Sequence, residues 1–292
     1  MSKNPPQYLV LAAVLLTSSS SIFIRLSIMP PLVIALYRMA MSTAFLAVPM
    51  FWRRRELKAI CRKDLLLCLV SGAALALHFA AWIASLSMTS VMASTVLVST
   101  SPIFVAVFGA VFLRKRPGRV LLACLFAAFC GTIIITAGPA ASGGNFGGNM
   151  LALAGAASVA VYLIIGQEVR KRMSAAAYSF VVYGASAVFL LGLNGAAMQP
   201  LLGYSLGDIG IILAMALVCS VFGHTLYNLL LKFHGAFLVS LATLCEPLFA
   251  SILAAVILLE IPTGQTFIGG FIILASLAAY IYLTRENKEV IQ

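Results

Sequence analysis

Residues 31–63 read PLVIALYRMAMSTAFLAVPMFWRRRELKAICRK. The run 31–52 is almost wholly apolar, and its only charge is Arg38. Six Lys or Arg residues then crowd into 53–63: Arg53, Arg54, Arg55, Lys58, Arg62 and Lys63. A hydrocarbon layer about 30 Å thick takes about 20 apolar residues to cross as a helix. Short connections rich in Lys and Arg stay on the cytoplasmic side. The stretch therefore reads as one membrane span followed by a cytoplasmic connection.

The same reading extends in both directions. Ten apolar runs are long enough to span: 8–28, 31–52, 64–88, 91–113, 119–138, 149–169, 175–197, 209–233, 236–259 and 263–284. The chain of 292 residues is 62% hydrophobic and only 9% charged, with mean hydropathy +1.08. Soluble domains carry roughly 25% charged residues, so this composition cannot cover a water-facing surface. The first run has Lys3 before it but no small-residue cleavage site after it, so it is read as a span and not a leader.

The net charge of +11 raises the question of a nucleic-acid partner. Its placement answers against one. Seventeen of the 19 Lys and Arg residues fall on the tails or on alternate connections, after the second, fourth, sixth and eighth runs. The opposite connections hold no Lys or Arg and carry Asp208 and Glu260. This alternation is expected of ten spans with both termini cytoplasmic.

An offset of 145 residues brings Pro102 onto Pro247, Pro117 onto Pro262, Phe104 onto Phe249, Arg25 onto Arg170 and Ser101 onto Glu246. The span pattern of 1–145 overlays that of 146–292. Each half has five spans, so the second half starts from the opposite side. The expected fold is all-α integral membrane, with ten transmembrane helices as two inverted-topology five-helix repeats, a plan common among secondary transporters.

Two segments carry a family resemblance. Residues 84–118 read ASLSMTSVMASTVLVSTSPIFVAVFGAVFLRKRPG, and the second half has LLLKFHGAFLVSLATLCEPLFASILAAVILLEIPTG. These resemble the EamA domain of the drug/metabolite transporter superfamily, with a Ser-Pro or Glu-Pro inside the fourth span of each repeat. The opening SSSSIFIRLSIMPPLVIALYRMAMS resembles the family's first two spans, Arg38 included. One departure is Arg114-Lys115-Arg116, where a Gly-Glu pair is usual. The resemblance implies efflux of amino acids, metabolites or drugs, with uptake of nucleosides, cofactors or S-adenosylmethionine as the alternative. It implies a cell membrane, most naturally a bacterial inner membrane.

Polar groups inside a bilayer are costly and mark function by default. The substrate-binding candidates are Arg38, His78, Trp82, Ser101, Tyr183, His224, Tyr227, Asn228 and Glu246. Glu246 is placed about 15 Å into the ninth span, and Arg38 about 12 Å below the outer face. Their matched depth and opposite charge suggest a structural pair, a substrate site, or both. His78 and Trp82 share a helix face, and the offset sets Trp82 on Tyr227 and Phe79 on His224. Two such walls would line a central cavity. Ser90, Ser94 and Ser101 form a stripe suited to a close helix contact, and Arg25 sits near the outer end of the first span. Glu246, or His78, is the candidate for coupling to protons.

Other function classes lack their signatures. The sequence has no Gly-Lys-Ser/Thr phosphate loop, and the GGNFGGN stretch at 143–149 is not one. Eight acidic residues, mostly in connections, cannot build a lipid-modifying catalytic cluster, so no enzyme is expected. No pore ring or filter loop suggests a channel. The six cysteines make no CxxC pair and no metal spacing, so no metal or cofactor is implied. The expected partners are a small-molecule substrate, the lipid bilayer and protons.

Overall fold

The computed structural model describes residues 5–89, 94, 97–112, 114, 117–136, 145–257, 259 and 264–289. Every regular element among them is helical. Ser90, Lys115, Arg116, Glu260 and Pro262, which the sequence reading singled out, lie outside the described residues, as do Gly143 and Gly144.

In chain order the helices are α1 (Leu9–Ser18), α2 (Ser20–Leu26), α3 (Pro31–Trp52), α4 (Arg54–Lys58), α5 (Arg62–Met88), α6 (Ser101–Phe112), α7 (Arg119–Thr136), α8 (Phe146–Val169), α9 (Ala175–Ala196), α10 (Leu206–Met215), a π-helical segment (Ala216–His224), α11 (Thr225–Thr243), α12 (Glu246–Ile257) and α13 (Gly264–Glu289). Six helical stretches are long and apolar enough to cross a membrane: Leu9–Leu26, Pro31–Trp52, Arg62–Met88, Phe146–Val169, Ala175–Ala196 and Leu206–Thr243. Shorter apolar helices occupy the places of the expected fourth, fifth, ninth and tenth spans. The chain is a multi-pass helical membrane protein.

Three interruptions shape the interior. The first span breaks at Ser19, between α1 and α2. There Thr17 and Ser18 both bond back to Val14 O, and Ser19 bonds back to Leu16 O. Hydroxyls that compete for the helix's own carbonyls bend it. Ahead of α6, Thr100 N donates to Leu97 O at 3.1 Å; ahead of α12, Cys245 N donates to Ala242 O at 2.9 Å. These two tight turns stand 145 residues apart. Each precedes a helix whose second residue is a proline, Pro102 or Pro247, which has no N–H to continue a preceding helix. The run expected as the ninth span is thus discontinuous: Glu246 opens a new helix, where the sequence placed it about 15 Å into the span beside a turn weakened by Pro247.

The Leu206–Thr243 stretch, about 57 Å at 1.5 Å per residue, exceeds one straight crossing. It is broken at Gly235 (φ 80°, ψ 172°) into two helical pieces. Positive φ with ψ near 180° is a region open essentially to glycine, and the Ala236 N–H beyond it is capped by Gln167 Oε1 at 2.7 Å.

Packing follows a pattern across the two halves. α5 lies against α8, and α1 against the π segment; α6 lies against α8, and α1 against α12. α3 pairs with α9, and α7 with α13. The basic connections after the second, sixth and eighth runs meet at one end. Arg172 forks onto both oxygens of Asp64 at 2.8–3.1 Å, Ser174 donates to Glu56 at 2.5 Å, and His234 Nε2 donates to Pro5 O at 2.7 Å. Its hydrogen bond to Asp64, then that to Glu168, holds the Arg172 guanidinium above its ordinary pKa. At the other end Ile28 N meets Asp208 at 3.3 Å, and Thr89 donates to Asn149 at 2.7 Å.

Candidate functional site

The broken spans surround a cavity of about 380 Å³. Its lining includes a cluster formed by Thr17, Tyr227 and Glu246 and, at an exposed edge, Arg25. Seven of the nine sequence candidates line it: Arg38, His78, Trp82, Ser101, His224, Tyr227 and Glu246.

Glu246 enters at the start of α12. Its Oε1 accepts from Thr17 Oγ1 at 3.1 Å and from Tyr227 OH at 3.3 Å, and the two hydroxyls are 3.0 Å apart. The break after α1 brings Thr17 there, while Gly223 lets the π segment close on it. A Cβ on Gly223 would stand 2.8 Å from Thr17 Cγ2.

Arg38 projects from α3 and is only 1% exposed. Its Nε donates to Ser220 Oγ and its Nη1 to Ser20 Oγ, both at 2.8 Å, and its guanidinium carbon lies 4.4 Å above the Phe79 ring centre. A guanidinium stays protonated in proteins, so the cavity carries a fixed positive charge. Among the described residues no ion pair within 4.0 Å joins Arg38 to Glu246. They share the cavity but are held by separate hydroxyl sets, so the direct structural pair is not formed in this conformation.

The aromatic wall is built mainly from α5 and the π segment. His78 stacks on Trp82 with ring centres 6.0 Å apart and planes 9° apart, and Phe79 meets His224 edge-on at 5.6 Å. The offset that equates Phe79 with His224 therefore equates two residues that touch. His78 Nδ1 is 3.0 Å from Gly155 O. A carbonyl only accepts, so Nδ1 carries the hydrogen and Nε2 of the neutral ring is left as an acceptor. Trp82 Nε1 and His224 Nδ1 are buried without a hydrogen-bond partner. Buried polar groups usually find one, so these two are exceptions among the described residues.

Tyr183 and Asn228 stand behind this wall. Asn228 is fully buried, accepting from Tyr162 OH at 2.6 Å and donating to Ser179 at 2.8 Å. Tyr183 donates to Ser220 O at 3.2 Å, behind the serine that holds Arg38. Thr17, Ser20 and Tyr162, not among the sequence candidates, also line the cavity. The hydroxyl run 17–21 was the signal for the first two; Tyr162 gave only a lone polar tip in an apolar run. Arg25, read as an interfacial residue, is exposed and also lines the cavity. Ser94, from the serine stripe, bonds Ser85 of α5 at 2.6 Å, the helix contact that the stripe suggested.

A bundle of apolar helices enclosing a small, partly polar cavity beside broken spans is the architecture of a membrane transporter. The model of the EamA-like transporter family matches residues 5–137 and again 146–282, so the chain belongs to that family and to the drug/metabolite transporter superfamily. An uncharacterized transporter of Archaeoglobus fulgidus is 26% identical over 293 residues, covering 98% of this chain and 99% of that one. A protein crystal structure superposes with TM-score 0.78 over 96% of this chain and 98% of its own, at 15% identity, a likeness of fold.

Proposed function

We propose that the chain is a secondary transporter that carries a small polar or amphipathic metabolite out of the cytoplasm by alternating access. The supporting observation is the cavity itself. One carboxyl group (Glu246), the buried Arg38 guanidinium and a set of serine, threonine and tyrosine hydroxyls share a chamber with the aromatic rings of Phe79 and Trp82, and Arg25 lies at its exposed edge. Such a chamber suits a ligand with an apolar body and a charged or hydrogen-bonding group. Its contacts are Arg38, His78, Trp82, Ser101, His224, Tyr227 and Glu246, with Tyr183 and Asn228 positioning them from behind.

In this reading residues 1–145 and 146–292 are inverted repeats that rock about the cavity, with both termini cytoplasmic. The paired turns at 99–100 and 244–245 and the paired helix contacts support it. The exposed Arg25 among the lining residues supports an outward-open conformation, with the Thr17–Tyr227–Glu246 cluster closing the inner side. Glu246 changes partners during the cycle: hydroxyls hold it when the site is empty, and a substrate amine or a proton neutralises it when the halves rock back. Amino acids, metabolites and cationic drugs fit this chemistry.

A thermal-stability screen of the purified chain against those classes tests the reading, because a ligand that binds only the folded state raises its apparent stability. The expected result is a hit whose stabilisation is lost in Glu246→Ala and Trp82→Ala. Stabilisation that survives both substitutions places the site outside this cavity and refutes it.

A further inference from the structure

A second hollow, of about 850 Å³, opens at the end where the basic connections meet. Arg53, Arg170, Arg172 and Lys232 line it, and among the described residues no carboxylate does. Its floor is apolar, from Leu16, Phe222, Leu226 and Leu229. Phe222 is 55% exposed on the outside of the bundle, so the floor continues onto the surface that hydrocarbon covers.

Arg170 makes this hollow unusual. It is 2% exposed, and its guanidinium donates to the backbone carbonyls of Asn228 and Met173. Among the described residues it has no carboxylate within 4.0 Å; the neighbouring Glu168 is paired to Lys171 and Arg172 instead. A buried charge without a counter-charge is costly. Close by, α9 begins at Ser174, whose side chain caps Ala177 N, and Ala175 and Ala176 of its first turn face the hollow. Helix N-termini favour anions.

We propose that this hollow binds the phosphate headgroup of an anionic membrane phospholipid. Arg170 and the start of α9 take the phosphate, Arg53 and Lys232 close over it, and an acyl chain lies along Phe222 and Leu226. Basic pockets between membrane helices bind such headgroups. A soluble phosphate shares the anionic chemistry but has no use for the apolar floor. The site is separate from the central cavity, and the proposal holds whatever the transported substrate.

The test is thermal stabilisation of the detergent-purified chain by three probes: phosphatidylglycerol, phosphatidylcholine with the same acyl chains, and sodium phosphate. Phosphatidylglycerol alone is expected to stabilise. Arg53→Gln with Lys232→Gln, both exposed positions, is expected to weaken its apparent affinity roughly 30-fold, from about fivefold per cation. Arg54→Gln with Lys58→Gln removes the same charge outside the hollow and is expected to change affinity less than threefold. Equal stabilisation by phosphatidylcholine, full stabilisation by sodium phosphate, or equal loss in both double variants would overturn the proposal.

Discussion

Replacing Glu246 by Gln separates binding from folding in a way the geometry makes quantitative. Gln keeps the shape and one acceptor oxygen, so Thr17 at 3.1 Å and Tyr227 at 3.3 Å retain a partner. Each of those bonds falls from the charge-assisted range of about 1.5–3 kcal/mol to about 0.5–1.5 kcal/mol. Offsetting this, a desolvated charge is removed, and such replacements are often neutral or stabilising. The expected change in thermal stability is therefore small. A substrate amine instead loses its counter-ion, and breaking a buried charge contact costs about 2–5 kcal/mol. At about 1.4 kcal/mol per decade, the dissociation constant rises on the order of 30- to 3,000-fold. The chain supplies its own probe. It has two tryptophans, Trp82 in the cavity wall and Trp52, which is 74% exposed. In a Trp52→Phe background, fluorescence reports Trp82 alone, and amine titrations give the dissociation constant directly. A Glu246→Gln variant that folds and binds amines within threefold of the parent would refute the role given to this carboxylate.

Three further outcomes follow from the packing. Gly223→Val drives a side chain into Thr17, where even a Cβ stands at 2.8 Å, and should cost about 1–3 kcal/mol, read as a lowered midpoint of thermal unfolding in detergent; an unchanged midpoint would mean the π segment is not held tightly against α1. Asn228→Leu strands Tyr162 OH and Ser179, and a loss of about 1–3 kcal/mol is expected by the same measurement; no loss would show that the tyrosine finds another partner. Arg38→Ala and Glu246→Ala, alone and combined, should give transport losses that depart from additivity by more than about 0.5 kcal/mol, since both groups face one small cavity; simple additivity of the rates would remove any coupling between them.

Much of the fold is legible in the residues because a bilayer imposes blunt requirements. The run 31–52 and its basic sequel announce a span and a connection, and the observed α3 covers the same residues. The prolines at 102 and 247 mark two breaks, although the sequence did not show that Glu246 would begin a helix. Other features leave little trace. The π segment ALVCSVFGH is as apolar as any other run, so nothing marks its wider turn. The bend at Ser19 depends on hydroxyls choosing carbonyls over solvent, which a hydropathy pattern does not record. Tyr227 and Asn228 are adjacent in sequence and so point about 100° apart on a helix; one faces the cavity and the other Tyr162. In spans apolar all round, no amphipathic stripe distinguishes those faces, which is why Asn228 and Tyr183 were grouped with the lining residues.

Alternating access through this cavity is tested most directly by counterflow in proteoliposomes. Vesicles are loaded with an unlabelled ligand found by the stability screen, and trace labelled ligand is added outside. The account requires transient accumulation of label by the parent chain, and its loss in Trp82→Ala and Glu246→Ala at matched protein incorporation. Undiminished accumulation in both variants would contradict the central site, and no accumulation by a parent chain that binds the ligand would contradict transport by alternation.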